Sequence, residues 1–146
     1  MKRFIFKLQT VLELRENNEE SKKLEYSKAL NDYTMQYNKL TELVCSYKNT
    51  LNNSKNEIKK GIKPESISIF NNYLLSIKKN IENQQIKVEK LRELTDIKKK
   101  EMFKAIADRK AIEKLKDNEY KKFIKEQNAE EQRVIEEIVS YNYVSK

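Results

Sequence analysis

"NEIKKGIKPESIS", residues 56–68, holds the only glycine, Gly61, and the only proline, Pro64, of a 146-residue chain. Elsewhere the sequence avoids the two residues that most readily break a helix, so this stretch decides how the chain folds. Gly61 suits the position just past a helix end, where left-handed backbone costs glycine nothing, and Lys55, Lys59 and Lys60 complement the negative end of the preceding helix dipole. Pro64 suits the first turn of a following helix, with Glu65 beside it at the positive end. Two helices joined by so short a loop must run antiparallel. Gly61 and Pro64 thus read as the tip of a hairpin.

Outward from the tip, apolar and aromatic residues recur in alternating steps of three and four. Tyr26, Leu30, Tyr33, Tyr37, Leu40, Val44, Tyr47, Leu51 and Ile58 carry the pattern before it, with Ser54 as a polar member. Ile67, Phe70, Leu74, Ile77, Ile81, Val88 and Leu91 carry it afterwards, with Gln84 as the exception. A mean step of about 3.5 residues marks a left-handed coiled coil. Folding the two seams about the tip sets Val44 near Ile77, Leu40 near Ile81 and Tyr33 near Val88.

Further out the pattern weakens. Ile5, Leu8 and Leu12 share the spacing, but Arg15, Glu19 and Lys22 follow them in the same phase. The first helix is therefore expected to continue through Asn17 to Lys23 with loose pairing, and to need an extra-residue stutter at Leu30. The second seam fades over "TDIKKKEMFK", residues 95–104, and returns through Met102, Ile106, Ile112, Leu115, Tyr120 and Phe123.

The expected fold is all-α: a single coiled-coil domain over residues 1–146 forming a long two-helix antiparallel hairpin. A helix over about 3–60, a tip loop over about 61–64 and a helix over about 65–144 make it up. At ~1.5 Å per residue the second helix overhangs the first by roughly 25 residues. The overhang carries Ile124, Val134, Ile135, Ile138 and Tyr141 with no intramolecular partner, and an exposed apolar stripe of this kind awaits another protein.

Composition narrows the function. With 31 basic and 23 acidic residues the net charge is +8, yet the lysines are interleaved with glutamates and no Arg-plus-aromatic surface appears. That reads as a solvated helix face rather than a phosphate track, so no nucleic acid is expected as partner. The chain has no His and one Cys, which removes tetrahedral zinc sites and Ser-His or Cys-His nucleophile pairs. Adjacent carboxylates such as Glu130 and Glu131 lack a pocket to raise one pKa, and one glycine cannot make a phosphate-binding loop. No catalytic residue, cofactor site or metal site is expected. No stretch approaches the ~20 apolar residues of a membrane span, and Lys7, Gln9 and Glu13 interrupt the apolar start, so a cytosolic protein with a free Cys45 thiol is expected. Tyr26, Tyr33, Tyr37 and Tyr47 read as seam packing, while Tyr73 and Tyr143 lie off the seam and suit contacts with a partner.

Three stretches, in order and spacing, resemble the flagellar export protein FliJ family: "FIFKLQTVLELRENNEE" at the start, "GIKPESISIFNNYLLSIKKNIENQ" from the tip, and "DRKAIEKLKDNEYKKFIKEQNAEEQRVIEEI" toward the end. The resemblance implies a non-enzymatic stalk of the type III export apparatus, similar to the central stalk of rotary ATPases. Its helix ends would enter the flagellar export ATPase hexamer, promote ring assembly and couple it to the export gate protein FlhA, and it would escort empty export chaperones. Carried over, the ring contact falls on Phe4, Leu8, Val11, Leu12, Arg15, Val134, Ile135 and Ile138. The gate contact falls on Tyr47, Phe70, Tyr73, Leu74 and Ile77. The protein would reach the membrane through partners only. The alternatives are the equivalent stalk of a virulence type III secretion system and a basic nucleic-acid-binding coiled coil.

Overall fold

The computed structural model describes residues 2–145. Two helices account for most of them: α1, Gln9–Lys59, and α2, Pro64–Val144, which has 81 residues against 51. The all-α antiparallel hairpin with a longer second helix is the observed fold.

The tip is built as its residues dictate. Gly61 adopts φ 83°, the left-handed region, and its N–H donates to the Ile58 carbonyl at 3.1 Å, closing the last turn of α1. Lys63 caps α2: its carbonyl accepts from the N–H of Ser66 at 3.0 Å and of Ile67 at 3.3 Å. Pro64 is the first helical residue, where its missing N–H leaves no bond unmade.

The residues divide into two compact units, one over Lys22–Met102 and one uniting the segment up to Ser21 with residues from Phe103 onward. Within the tip unit, Ala29, Ile77 and Val88 are buried, and Tyr33, Leu40, Phe70, Leu74, Ile81 and Leu91 are half-buried. Two layers of helix cannot enclose a large side chain, and none among the described residues is fully enclosed. Polar seam positions are satisfied across the hairpin. The Gln84 amide donates to the Gln36 carbonyl at 2.8 Å and to its side-chain oxygen at 2.9 Å. The buried Thr95 hydroxyl lies 2.7 Å from the Leu91 carbonyl and 3.2 Å from that of Ala29. Ser54, also buried, donates to the Leu51 carbonyl at 2.8 Å.

Near the other limit of this unit, four side chains close a ring of alternating charge. Lys22 lies 3.4 Å from Glu25 and 3.6 Å from Glu101, and Lys98 lies 3.4 Å from Glu25 and 3.5 Å from Glu101. Lys22 and then Lys98 hold the Glu25 carboxyl below its ordinary pKa; Glu25 and then Glu101 hold the Lys98 ammonium above its own.

In the open-end unit Phe6, Leu12 and Ala105 are buried. So is Glu19, which pairs with Arg109, while Arg109 also donates to Glu113 at 2.6 Å. Glu113 and then Glu19 raise the guanidinium pKa further. Arg15 faces Asp108 at 3.6 Å.

Four expectations need correction. The α1 seam runs through Leu12, Arg15, Glu19, Lys22, Tyr26, Ala29, Tyr33, Gln36 and Leu40, all buried or half-buried, in unbroken steps of three and four. No stutter is needed, because the phase passes through Ala29 and Gln36 while Leu30 and Tyr37 are exposed. Small and polar residues hold those places because α2 answers them: the Thr95 hydroxyl donates to the Ala29 carbonyl and the Gln84 amide to Gln36. The seam of α2 likewise does not lapse, since Thr95 and Lys98 occupy it over the stretch that lacks large apolar residues. Finally, Ile58 is exposed rather than packed, and residues 2–8 are not helical; α1 begins only at Gln9.

Candidate partner-binding surfaces

"FIF", residues 4–6, explains the late start of α1. In extended backbone, alternate side chains share a side, and here Phe4 and Phe6 turn inward while Ile5 is exposed. The Phe4 ring meets Tyr120 edge-on at 5.3 Å between centroids and Phe123 at 5.5 Å. Lys116 places its ammonium 5.9 Å from the Phe6 ring centroid and donates to the Gln9 side-chain oxygen at 2.8 Å. The segment thus straps the α2 face over residues 116–123, reaching the start of the stretch expected to overhang. Every described residue after Gln127 is exposed.

This divides the expected ring-contact set. Leu12 is buried, Phe4 and Val11 are half-buried, Arg15 is committed to Asp108, and Leu8 is at the margin of exposure. Val134, Ile135 and Ile138 are exposed. On a helix, Val134, Ile138 and Tyr141 fall in line with Phe123 and Gln127, so they prolong the seam face of α2; Ile135 and Val139 flank them. Val139, which sequence reasoning passed over, is exposed too. An open hollow beside this face is lined by Lys2, Gln127, Glu130, Glu131, Val134 and Ile135.

The expected gate-contact set divides the same way. Ile77 is 5% exposed, and Tyr47, Phe70 and Leu74 are half-buried in the seam, whereas Tyr73 is 54% exposed. Only Tyr73 offers its ring to a partner without disturbing the fold. Ile69, one turn before Tyr73 on the same face, is exposed as well and was missed because it falls off the seam spacing that guided the search.

Among the described residues no group of three or more His, Cys, Asp or Glu could hold a metal ion, and no helix is long and apolar enough to cross a membrane. Cys45 is exposed, with the Asn49 amide 3.8 Å from its sulfur.

A family model described as Flagellar FliJ protein matches residues 4–146, nearly the whole chain. The chain belongs to the FliJ family. As a FliJ-family protein it is a component of flagellar type III export, associated with the export apparatus, and the family is non-catalytic. No curated protein and no solved structure matches the chain.

Proposed function

We propose that this FliJ-family protein acts as a central stalk. The end of α2, together with the strapped start of the chain, inserts into the ring of the flagellar export ATPase and promotes its assembly, and the tip couples it to the export gate protein FlhA. The observation that carries this reading is the apolar line Val134, Ile138 and Tyr141, which prolongs the α2 seam beyond Gln127, the last half-buried residue among those described. Exposed apolar surface of this kind marks a site that another protein covers. Phe4 and Leu12 support it indirectly, by holding the strap and α1 against α2. At the tip, Tyr73 and Ile69 are the side chains that offer themselves to the gate, while Phe70, Leu74 and Ile77 shape the helix that presents them. The stalk works from the cytoplasmic side, reaches the inner membrane through these partners, and escorts empty export chaperones.

The direct test is the triple variant Val134→Asp, Ile135→Asp and Ile138→Asp. These side chains are exposed and lie outside the seam between the helices, so far-ultraviolet dichroism should be unchanged while stimulation of the purified ATPase is lost. Stimulation at the unmodified level would remove these residues from the contact.

A further inference from the structure

Away from the seam, the solvent face of α2 in the tip unit carries a second pattern with a different period. Leu75, Ile86 and Ile97 stand eleven residues apart and are 65%, 57% and 53% exposed. Eleven residues make close to three helical turns, so the three side chains lie in a nearly straight row with ~16.5 Å between neighbours. Lys79 and Glu82 sit between the first pair, and Lys90 and Glu93 at the same offsets between the second. All four charged side chains are exposed, and none is taken up in an ion pair among the described residues.

The row has a property that selects its occupant. Read backwards from Ile97, its charges are the complement of those read forwards from Leu75. We infer that this face is a docking surface for a second copy of the same chain, laid antiparallel with a two-fold axis at Ile86. In that register Ile86 meets Ile86 of the second copy and Leu75 meets Ile97 of the second copy. Lys79 then faces Glu93 of the second copy, and Glu82 faces Lys90. Self-complementarity is what an isologous two-fold contact requires, and a parallel alignment would oppose like charges at all four positions. Two lysines and two glutamates leave the row neutral within a chain of net charge +8, so a polyanion finds no special purchase here. Three apolar side chains per copy over ~33 Å of helix make a contact at the small end of specific interfaces, and the dimer is correspondingly weak and concentration-dependent. The inference uses the tip unit alone and does not rest on the stalk reading.

Sedimentation equilibrium of the full chain over a concentration series reaching roughly 1 mM, the edge of weak association, should show the mass rise from monomer toward dimer. Ile86→Asp should weaken that rise at least ~10-fold, a shift of ~1.4 kcal/mol, with helicity unchanged because the position is exposed. Exchanging all four charges (Lys79→Glu, Glu82→Lys, Lys90→Glu, Glu93→Lys) restores complementarity within the variant but not toward the parent. It should self-associate normally and fail to mix. Register is read with Cys45→Ser as background: Ile86→Cys should cross-link to itself on mild oxidation, whereas Leu75→Cys should cross-link only when mixed with Ile97→Cys. A mass that stays monomeric throughout, free mixing of the charge-exchanged and parent chains, or self-cross-linking of Leu75→Cys as efficient as that of Ile86→Cys would each overturn the inference.

Discussion

The two units of this hairpin fill the same kind of seam with different chemistry. In the tip unit the helices meet mainly through Tyr33, Leu40, Phe70, Ile77, Ile81 and Val88, with Gln36–Gln84 and Thr95–Ala29 as neutral polar ties and ions only at its far limit, in the ring of Lys22, Glu25, Lys98 and Glu101. In the open-end unit the tie is ionic, Glu19 to Arg109 and Arg15 to Asp108, completed by an aromatic strap. Apolar burial stabilises by area and tolerates a shifted neighbour. A charge at a seam position must find its one counter-charge, and it contributes more to register than to stability. Among the described residues each unit buries three apolar side chains, Ala29, Ile77 and Val88 toward the tip and Phe6, Leu12 and Ala105 at the open end, so the difference teaches that the open end is aligned by ion pairs as well as packed. An aligned end with uncovered apolar residues beyond it suits an element whose remaining contacts come from another protein.

The strongest way to break the comparison is in the tip unit. Ile77→Ala removes a buried branched side chain from a thin layer and should cost about 2–3 kcal/mol, the lower part of the usual range because two helices can close part of the gap. Urea unfolding followed by dichroism would measure it. A cost under about 0.5 kcal/mol, the level of a surface change, would mean that the apolar seam does not dominate stability there.

Second in size is the ionic tie. Arg109→Ala leaves the buried Glu19 without its guanidinium and should lower the unfolding midpoint, while the double variant Glu19→Leu with Arg109→Leu should recover most or all of the loss. If the double variant is as unstable as the single one, the pair stabilises outright rather than aligning.

The smallest effect is that of pH on the ring of Lys22, Glu25, Lys98 and Glu101. The Glu25 carboxyl lies below its ordinary 4.5, so its contribution is full above 4.5 and is lost as pH falls through the folded-state value. The Lys98 ammonium lies above its ordinary 10.5, so its contribution is full below 10.5 and is lost as pH rises through the folded-state value. Thermal melts should therefore show a plateau between these limits and a decline on the acid side as pH falls below 4.5. Glu25→Gln should shrink that decline. An equal decline in the variant would assign it to other carboxylates.

Much of the fold was legible in the chain. Gly61 and Pro64 are local instructions: a φ of 83° and a helix start without an N–H depend on those residues alone, and the three-and-four spacing follows from helix geometry. The flagellar family, too, is written along nearly the whole sequence. The candidate sites were only half legible. The family resemblance marked Val134, Ile138 and Tyr73 as positions of interest, but it also marked Leu12 and Ile77, which are buried, and passed over Ile69. A seam residue and a surface residue differ in what lies opposite, and that is not a local property. For the same reason only the tertiary structure decided that Arg15, Glu19 and Lys22 belong in the seam. A charge is tolerated there when Asp108, Arg109 or Glu101 stands across from it, and those partners lie 79 to 93 residues away in the chain. The sequence by itself determined where the chain turns and with what period its helices pair; the facing helix decided the phase, the charged ties, the strap at Phe4 and Phe6, and which apolar side chains were left uncovered.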